Sequence, residues 1–282
     1  MRIKKEVRKI VASVLAFLMV VSLIPVNSLM TKANAASKTT FEGGKTVEDG
    51  TWKGWTWNVF GSSTDVTKAS ATDTGNGGVT LEVTGDKGKI NGSASDQGLN
   101  TFLYELDKSY DFTITAQAKI DTLATNEQAA FGLTIRDNVG THGNTTKLTA
   151  DKNNFAFVGG YGNKDNNADE TTNHGNAGYK TTKLKHTRLG KSPAVGGTYD
   201  LAIQKIGDSV KLYFDGEVAA ECSAADLITD DTMYVGLFAA RNAKITFNNV
   251  KLAYTQDSSS VKVTNVTAPK KTTYCAGNTY ED

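Results

Sequence analysis

Proline is scarce in this chain, at 3 of 282 residues, and cysteine nearly absent, at 2. So few cysteines exclude a small disulfide-stapled scaffold, and a chain of this length can build its core without bridges. Cys222 and Cys275 lie on opposite sides of a linker, so they either bridge it or pack as two unpaired small hydrophobes. Beyond the leader there is no long run of helical periodicity. With 27 glycines, that absence excludes a helical bundle and favours an all-β fold. A basic excess is also missing. The first 35 residues hold six of the Lys and Arg against one Glu, which leaves 25 basic and 29 acidic residues and a net charge of −4. A mildly acidic body offers no electrostatic footprint for nucleic acid or an anionic membrane. Hydrophobic residues at 39% and charged ones at 22% exclude a disordered or fibrous chain.

What is present begins with an export signal. Met1–Lys9 is basic, Ile10–Ile24 apolar, and Pro25 ends the run before Ala33-Asn34-Ala35 places small residues where a signal peptidase reads them. An uncleaved anchor is the alternative, but the apolar run is shorter than the roughly 20 residues a bilayer needs. Cleavage after Ala35 is expected to make the protein secreted and free of the membrane, with cell-surface association left to any modules further downstream.

The body reads as strands. Val79, Leu81 and Val83 alternate, Gly85-Asp86 turns, and Lys87–Asn91 is expected to return as a hairpin. Phe112, Ile114, Ala116, Ala118 and Ile120 share one face of a strand whose other face, Thr113, Thr115, Gln117 and Lys119, is wet. Phe131, Leu133 and Ile135 repeat the pattern. From Asn138 to Arg188 regularity fails apart from Phe155–Val158, and a long Asn/Gly/Thr/Asp loop region is expected, as a binding rim or an insertion. Tyr199, Leu201 and Ile203 resume the alternation, and Val210, Leu212 and Phe214 answer across Gly207-Asp208. Asp215-Gly216 then turns the chain into Glu217–Cys222. Val235, Leu237 and Ala239, then Ile245 and Phe247, form two strands separated only by Arg241-Asn242, so a tight turn between neighbours in one sheet is predicted.

Three stretches together, WTWNVFGSSTD (Trp55–Asp65), AFGLTIRD (Ala130–Asp137) and VGLFAARNAKITFNNVKL, resemble concanavalin-like (laminin-G-like) jelly-roll modules. More narrowly, they resemble the N-terminal module of large secreted bacterial pectate and exopolygalacturonate lyases. The resemblance covers roughly residues 50 to 254. It implies a concanavalin-like jelly-roll β-sandwich at 36–255, of about 12 strands, in a setting of pectic polysaccharide. After a 256–260 linker, VTNVTAPKKTTYCAGNTYED resembles the opening of a bacterial immunoglobulin-like repeat, and its length at 261–282 is too short for that sandwich of about 100 residues.

Candidate binding residues are few. Trp52, Trp55 and Trp57 are the only tryptophans. Trp55 and Trp57 alternate as core anchors would, whereas Trp52, outside the alternation, is the expected exposed platform for the apolar face of a sugar. Arg136-Asp137 at a strand end offers a forked donor and an acceptor to sugar hydroxyls, or a structural ion pair or turn cap; Arg241-Asn242 is equally ambiguous. Asp165, Asn167 and Asp169 have the oxygen-ligand spacing of a calcium loop, but Glu170 replaces its glycine and Asn176 its bidentate Glu, so a solvated acidic loop is the alternative. Catalysis has little support. No strand-borne carboxyl pair of the kind glycoside hydrolysis uses is evident, His142, His174 and His186 lack metal-ligand spacing, and Gly159-Gly160-Tyr161-Gly162 lacks the strand–turn–helix context of a phosphate loop.

The expectation is a monomeric, non-catalytic module that holds a polysaccharide. An adhesin or surface spacer is the rival, and a glycan-cleaving enzyme the third reading. Because the alternation closes before Gln256, a chain cut after Tyr254 is predicted to give a cooperative β-type thermal transition by circular dichroism; failure to fold without residues 261–282 would overturn that boundary.

Overall fold

The computed structural model describes residues 39–61, 64–90, 97–124, 128–145, 154–162, 173–181 and 184–256. The expected leader, residues 257–260 of the expected linker, the expected immunoglobulin-like opening and the calcium-like triplet Asp165, Asn167 and Asp169 lie outside them. Gln256, read as the first linker residue, instead closes the last strand, Ala243–Gln256, opposite Tyr110. Among the described residues no helix is long and apolar enough to cross a membrane.

Among the described residues, fourteen strands form two seven-stranded sheets. The first sheet runs β1 (Trp55–Phe60), β4 (Leu99–Asp107), β13 (Thr232–Ala240), β6 (Ala130–Arg136), β7 (Phe155–Gly162), β8 (Asn173–Lys180) and β9 (Leu184–Arg188). The second runs β12 (Glu217–Ser223), β11 (Ser209–Phe214), β10 (Thr198–Ile206), β5 (Tyr110–Leu123), β14 (Ala243–Gln256), β3 (Gly78–Val83) and β2 (Ala69–Gly75). Every pairing between these strands is antiparallel. One helical turn, α1 (Ala224–Leu227), follows β12, capped by the Ser223 side chain. The chain is all-β, and the two sheets face each other as a concanavalin-like sandwich.

Alternation explains the strands that were legible. On β5 the burial follows the predicted faces: Phe112, Ile114, Ala116, Ala118 and Ile120 are buried against the core while the threonines between them are not. β10 and β11 pair as a hairpin with Leu201 opposite Phe214 and Ile203 opposite Leu212. From the other sheet, Leu133, Ile135, Val235 and Leu237 meet this face in one continuous core.

Three expectations fail. β13 and β14 are not sheet neighbours; they belong to opposite sheets. Arg241 and Asn242 both have positive φ, 57° and 44°, and their amides bond to Lys87 O and Gly85 O at 2.9 Å, so this dipeptide turns a corner between layers. A two-residue break with left-handed residues fits a corner as well as a hairpin. Secondly, Val79–Val83 pairs with β2 and β14, while Lys89 pairs with Gly98 in an isolated bridge. Thirdly, the supposed loop region contains β8, β9 and a longer β7. Gly159 lies in β7 beside Gly132 of β6, where a Cβ would stand 2.0 Å from the Phe131 carbonyl oxygen, so the glycines there serve close strand approach.

Trp52 is not a platform either. It sits in a short 3₁₀ turn just before β1, 4% exposed, edge-on to Trp55 and Phe102 with ring centroids at 5.5 and 5.3 Å. Its Nε1 has no hydrogen-bond partner, so the ring is held by apolar contact alone. Phe41 packs on the same cluster, and the Gly44 and Val47 amides bond to the Trp57 and Trp55 carbonyls, which ties residues 41–47 to the domain. Trp57 donates Nε1 to Asn100 at 2.7 Å and meets the His142 ring, whose Nδ1 accepts from the Val59 amide. Trp52→Ala is therefore expected to lower unfolding stability by about 3–5 kcal/mol, as Trp55→Ala would. Chemical denaturation of the two variants side by side checks this, and a Trp52→Ala protein as stable as the parent would contradict it.

Candidate functional site

The two sheets present different outer faces. That of the first is covered by a second apolar cluster containing Phe60, Ile90, Leu99, Phe155, Phe157 and Phe238. That of the second carries a groove of about 670 Å³ built from four adjacent strands, β14, β5, β10 and β11.

Strand parity supplies the groove floor. With Ile114 and Ala116 buried, β5 must turn Thr113, Thr115 and Gln117 outward, and β10 likewise turns out Asp200, Ala202 and Gln204. β14 contributes through a bulge. Asn248 pairs with Gln117 but Lys251 pairs with Thr115, so one extra residue is accommodated, and Asn249 adopts φ 51°. Asn249 and Lys251 thereby both line the groove.

Two cross-strand ladders order this floor. Asn249 donates Nδ2 to Gln117 Oε1 at 2.7 Å, and Gln117 donates Nε2 to Asp200 Oδ1 at 3.0 Å. Further along the strands, Gln204 donates Nε2 to Thr113 Oγ1 at 3.4 Å, and the Tyr213 hydroxyl approaches Gln204 Oε1 at 3.5 Å. Small side chains, Thr115 and Ala202, separate the ladders. Lys251 is exposed at the groove, where its ammonium is available to a ligand. Amides, hydroxyls, one carboxylate and one ammonium around a half-buried tyrosine ring can bond to sugar hydroxyls and cover a sugar's apolar face. The one carboxyl in the groove lining is Asp200.

The residues picked out in the sequence lie elsewhere. Arg136 has no exposed surface: it donates to Gln97 Oε1 at 2.7 Å and to Asn138 O at 3.2 Å, with its guanidinium 5.1 and 5.5 Å from the Phe155 and Phe60 ring centres. Asp137, 1% exposed, accepts from the Asn154 amide at 2.9 Å and the Thr229 hydroxyl at 3.2 Å. Neither can meet a sugar, because both are buried. Lys180 joins them, 5.9 Å from the Phe155 centre, with burial first and the Arg136 charge second lowering its pKa. Arg241 stands 3.2 Å from Asp86 Oδ1 at the corner between the sheets. Asn242 accepts from the Gly85 amide at 2.7 Å and borders a smaller hollow. Among the described residues no three His, Cys, Asp or Glu side chains cluster as a metal site. Cys222 is a free thiol whose pKa burial pushes up to about 12.

The groove was partly visible beforehand, since Thr113, Thr115 and Gln117 are the wet face of β5. Asn249 was missed, although the sequence signals it: core-facing apolar positions run Ile245, Phe247, then Val250, Leu252, a change of parity that needs one extra residue between.

The family model for the pectate disaccharide-lyase N-terminal domain matches residues 58–257. The chain belongs to this family. A pectate lyase L from Thermoclostridium stercorarium is 30% identical over 209 residues, 73% of this chain and 15% of that protein, so the chain spans under a sixth of its relative's length. Among solved structures, a Lotus tetragonolobus seed lectin is 10% identical with a TM-score of 0.47, covering 77% of this chain and 98% of the lectin. A carbohydrate-binding module from Bacillus subtilis is 15% identical with a TM-score of 0.35, over 71% and 94%. As a pectate disaccharide-lyase N-terminal domain, the chain has its matched region in the β-sandwich itself.

Burial pushes the Asp137 carboxyl up to about 6, against the lowering effect of Arg136 and of its two hydrogen bonds. A raised folded-state pKa means this group's contribution to stability is fully present below its unfolded value and is lost as pH rises through about 6. The stability advantage of the parent over Asp137→Asn is therefore expected to be larger at pH 4 than at pH 7, by on the order of 2 kcal/mol. Urea unfolding at the two pH values checks it, and an advantage that is equal or grows towards pH 7 would show that the carboxyl is ionised throughout.

Proposed function

We propose that this module holds a polysaccharide, pectic in kind, in the groove on its second sheet without cleaving it, as a monomeric part of a larger secreted polysaccharide-degrading protein. The observation that carries the reading is the groove: its polar side chains stand in fixed rows, tied to one another across β14, β5 and β10, beside an exposed Lys251. Side chains ordered in advance lose little freedom when a ligand arrives. Membership of the pectate disaccharide-lyase N-terminal domain family supports the pectic substrate class, and Lys251 suits a uronate carboxylate. Tethering a catalytic module near an insoluble chain raises its effective concentration there, which gives a non-catalytic module a use.

Affinity electrophoresis of the full chain against pectin, polygalacturonate, galactan and β-glucan tests the proposal, with calcium and with a chelator. Retardation by a pectic glycan is expected, with Tyr213→Ala losing about 1–3 kcal/mol of binding at nearly unchanged melting temperature. No release of reducing ends or unsaturated uronates is expected. Binding to no glycan would leave the spacer reading in its place, and product release above the blank would make the module an enzyme.

A further inference from the structure

The smaller hollow beside Asn242 lies on the same sheet as the groove. It measures about 430 Å³ and is bordered by Glu82, Thr84, Thr122, Val195 and Asn242. β5 supplies Thr122 to this hollow and Thr113 to Gln117 to the groove; β14 runs from next to Asn242 at one to Asn249 and Lys251 at the other. At about 3.4 Å per residue, Thr122 stands about 17 Å from Gln117 and about 30 Å from Thr113 along the strand.

The surface between the two is charged but internally neutral. Lys119 pairs with Asp121 at 3.3 Å, Lys244 with Glu82 at 2.9 Å, and the Thr246 hydroxyl donates to Asp121. Thr246 also shares a hydrogen bond with Thr80 at 2.9 Å. Nothing on this strip repels a chain of either neutral or acidic sugars, and its side chains are tied down in the plane of the sheet.

We propose that the hollow and the groove are the two ends of one binding track, running along β5 and β14, that reads the interior of an extended polysaccharide rather than a chain end. This rests on the groove being the glycan site. On this view Asn242, which holds the Gly85 amide with its Oδ1, offers its Nδ2 to a distant sugar unit, and the exposed Val195 covers that unit's apolar face. A short oligomer fills one end only. A long one gains the second set of contacts as an intramolecular event.

Calorimetric titration of the full chain with galacturonate oligomers, from the dimer to the decamer, and with polygalacturonate tests the track. Affinity should rise by at least about tenfold once an oligomer spans both ends, then level off. Asn242→Ala and Thr122→Glu should each return long oligomers towards short-oligomer affinity while leaving the dimer unaffected; Tyr213→Ala should weaken all lengths. Thr122 is exposed, so Thr122→Glu keeps the test valid should Asn242→Ala unfold the corner. Binding with no length dependence, or long-oligomer affinity indifferent to Thr122→Glu, overturns the track and leaves the groove standing. Absence of all glycan binding overturns both.

Discussion

A sandwich of two sheets can close only if each strand gives one row of side chains to the middle, and the period of two then fixes what the other row does. In this protein the consequence differs between the layers. In the first sheet β6 and β7 bury both rows, because a second apolar cluster lies on the outer side. The second sheet buries one, and its remaining row becomes an ordered polar surface. The groove is thus a by-product of core formation: Thr113, Thr115 and Gln117 face outward because Phe112, Ile114 and Ala116 face inward.

The double burial of β6 explains why charge at its end was misread. An arginine closing a strand is ordinarily a surface residue, and removing its charge from water is costly. Here the cost is offset by hydrogen bonds to Gln97 and Asn138 and by the faces of Phe60 and Phe155. Burial lowers the Arg136 pKa to about 10, so the side chain keeps its proton at neutral pH. None of these partners is near Arg136 in sequence except Asn138, so the pattern AFGLTIRD could not reveal the enclosure.

Regularity within a strand was readable, and placement between strands was not. The faces of β5 and the β10–β11 hairpin follow from local alternation and from a turn whose two residues match its geometry. The corner at Arg241-Asn242, the partnering of β3 with β2, and the burial of Trp52 depend on contacts far apart in the chain, for which local pattern carries no information. β8 escaped for a different reason: its glycine and asparagine content lowers strand propensity, and the sheet overrides it by pairing with β7. At the candidate site, parity gave the β5 row, but only the paired register shows that the extra residue in β14 turns Asn249 towards Gln117.

The position of the last two strands has a consequence for the order of assembly. β13 lies between β4 and β6, and β14 between β5 and β3, so the final twenty-five residues of the domain, Thr232–Gln256, occupy interior places in both layers. As the chain emerges from the ribosome, the strands that will flank them must wait side by side with their neighbours missing. Neither layer can be completed until the C-terminal stretch is synthesised and inserted, which makes folding a late, non-local and comparatively slow event. A polypeptide organised in this way stays unlocked for most of its synthesis, and loss of β14 as a whole would remove the keystone of a sheet whose other strands are already made.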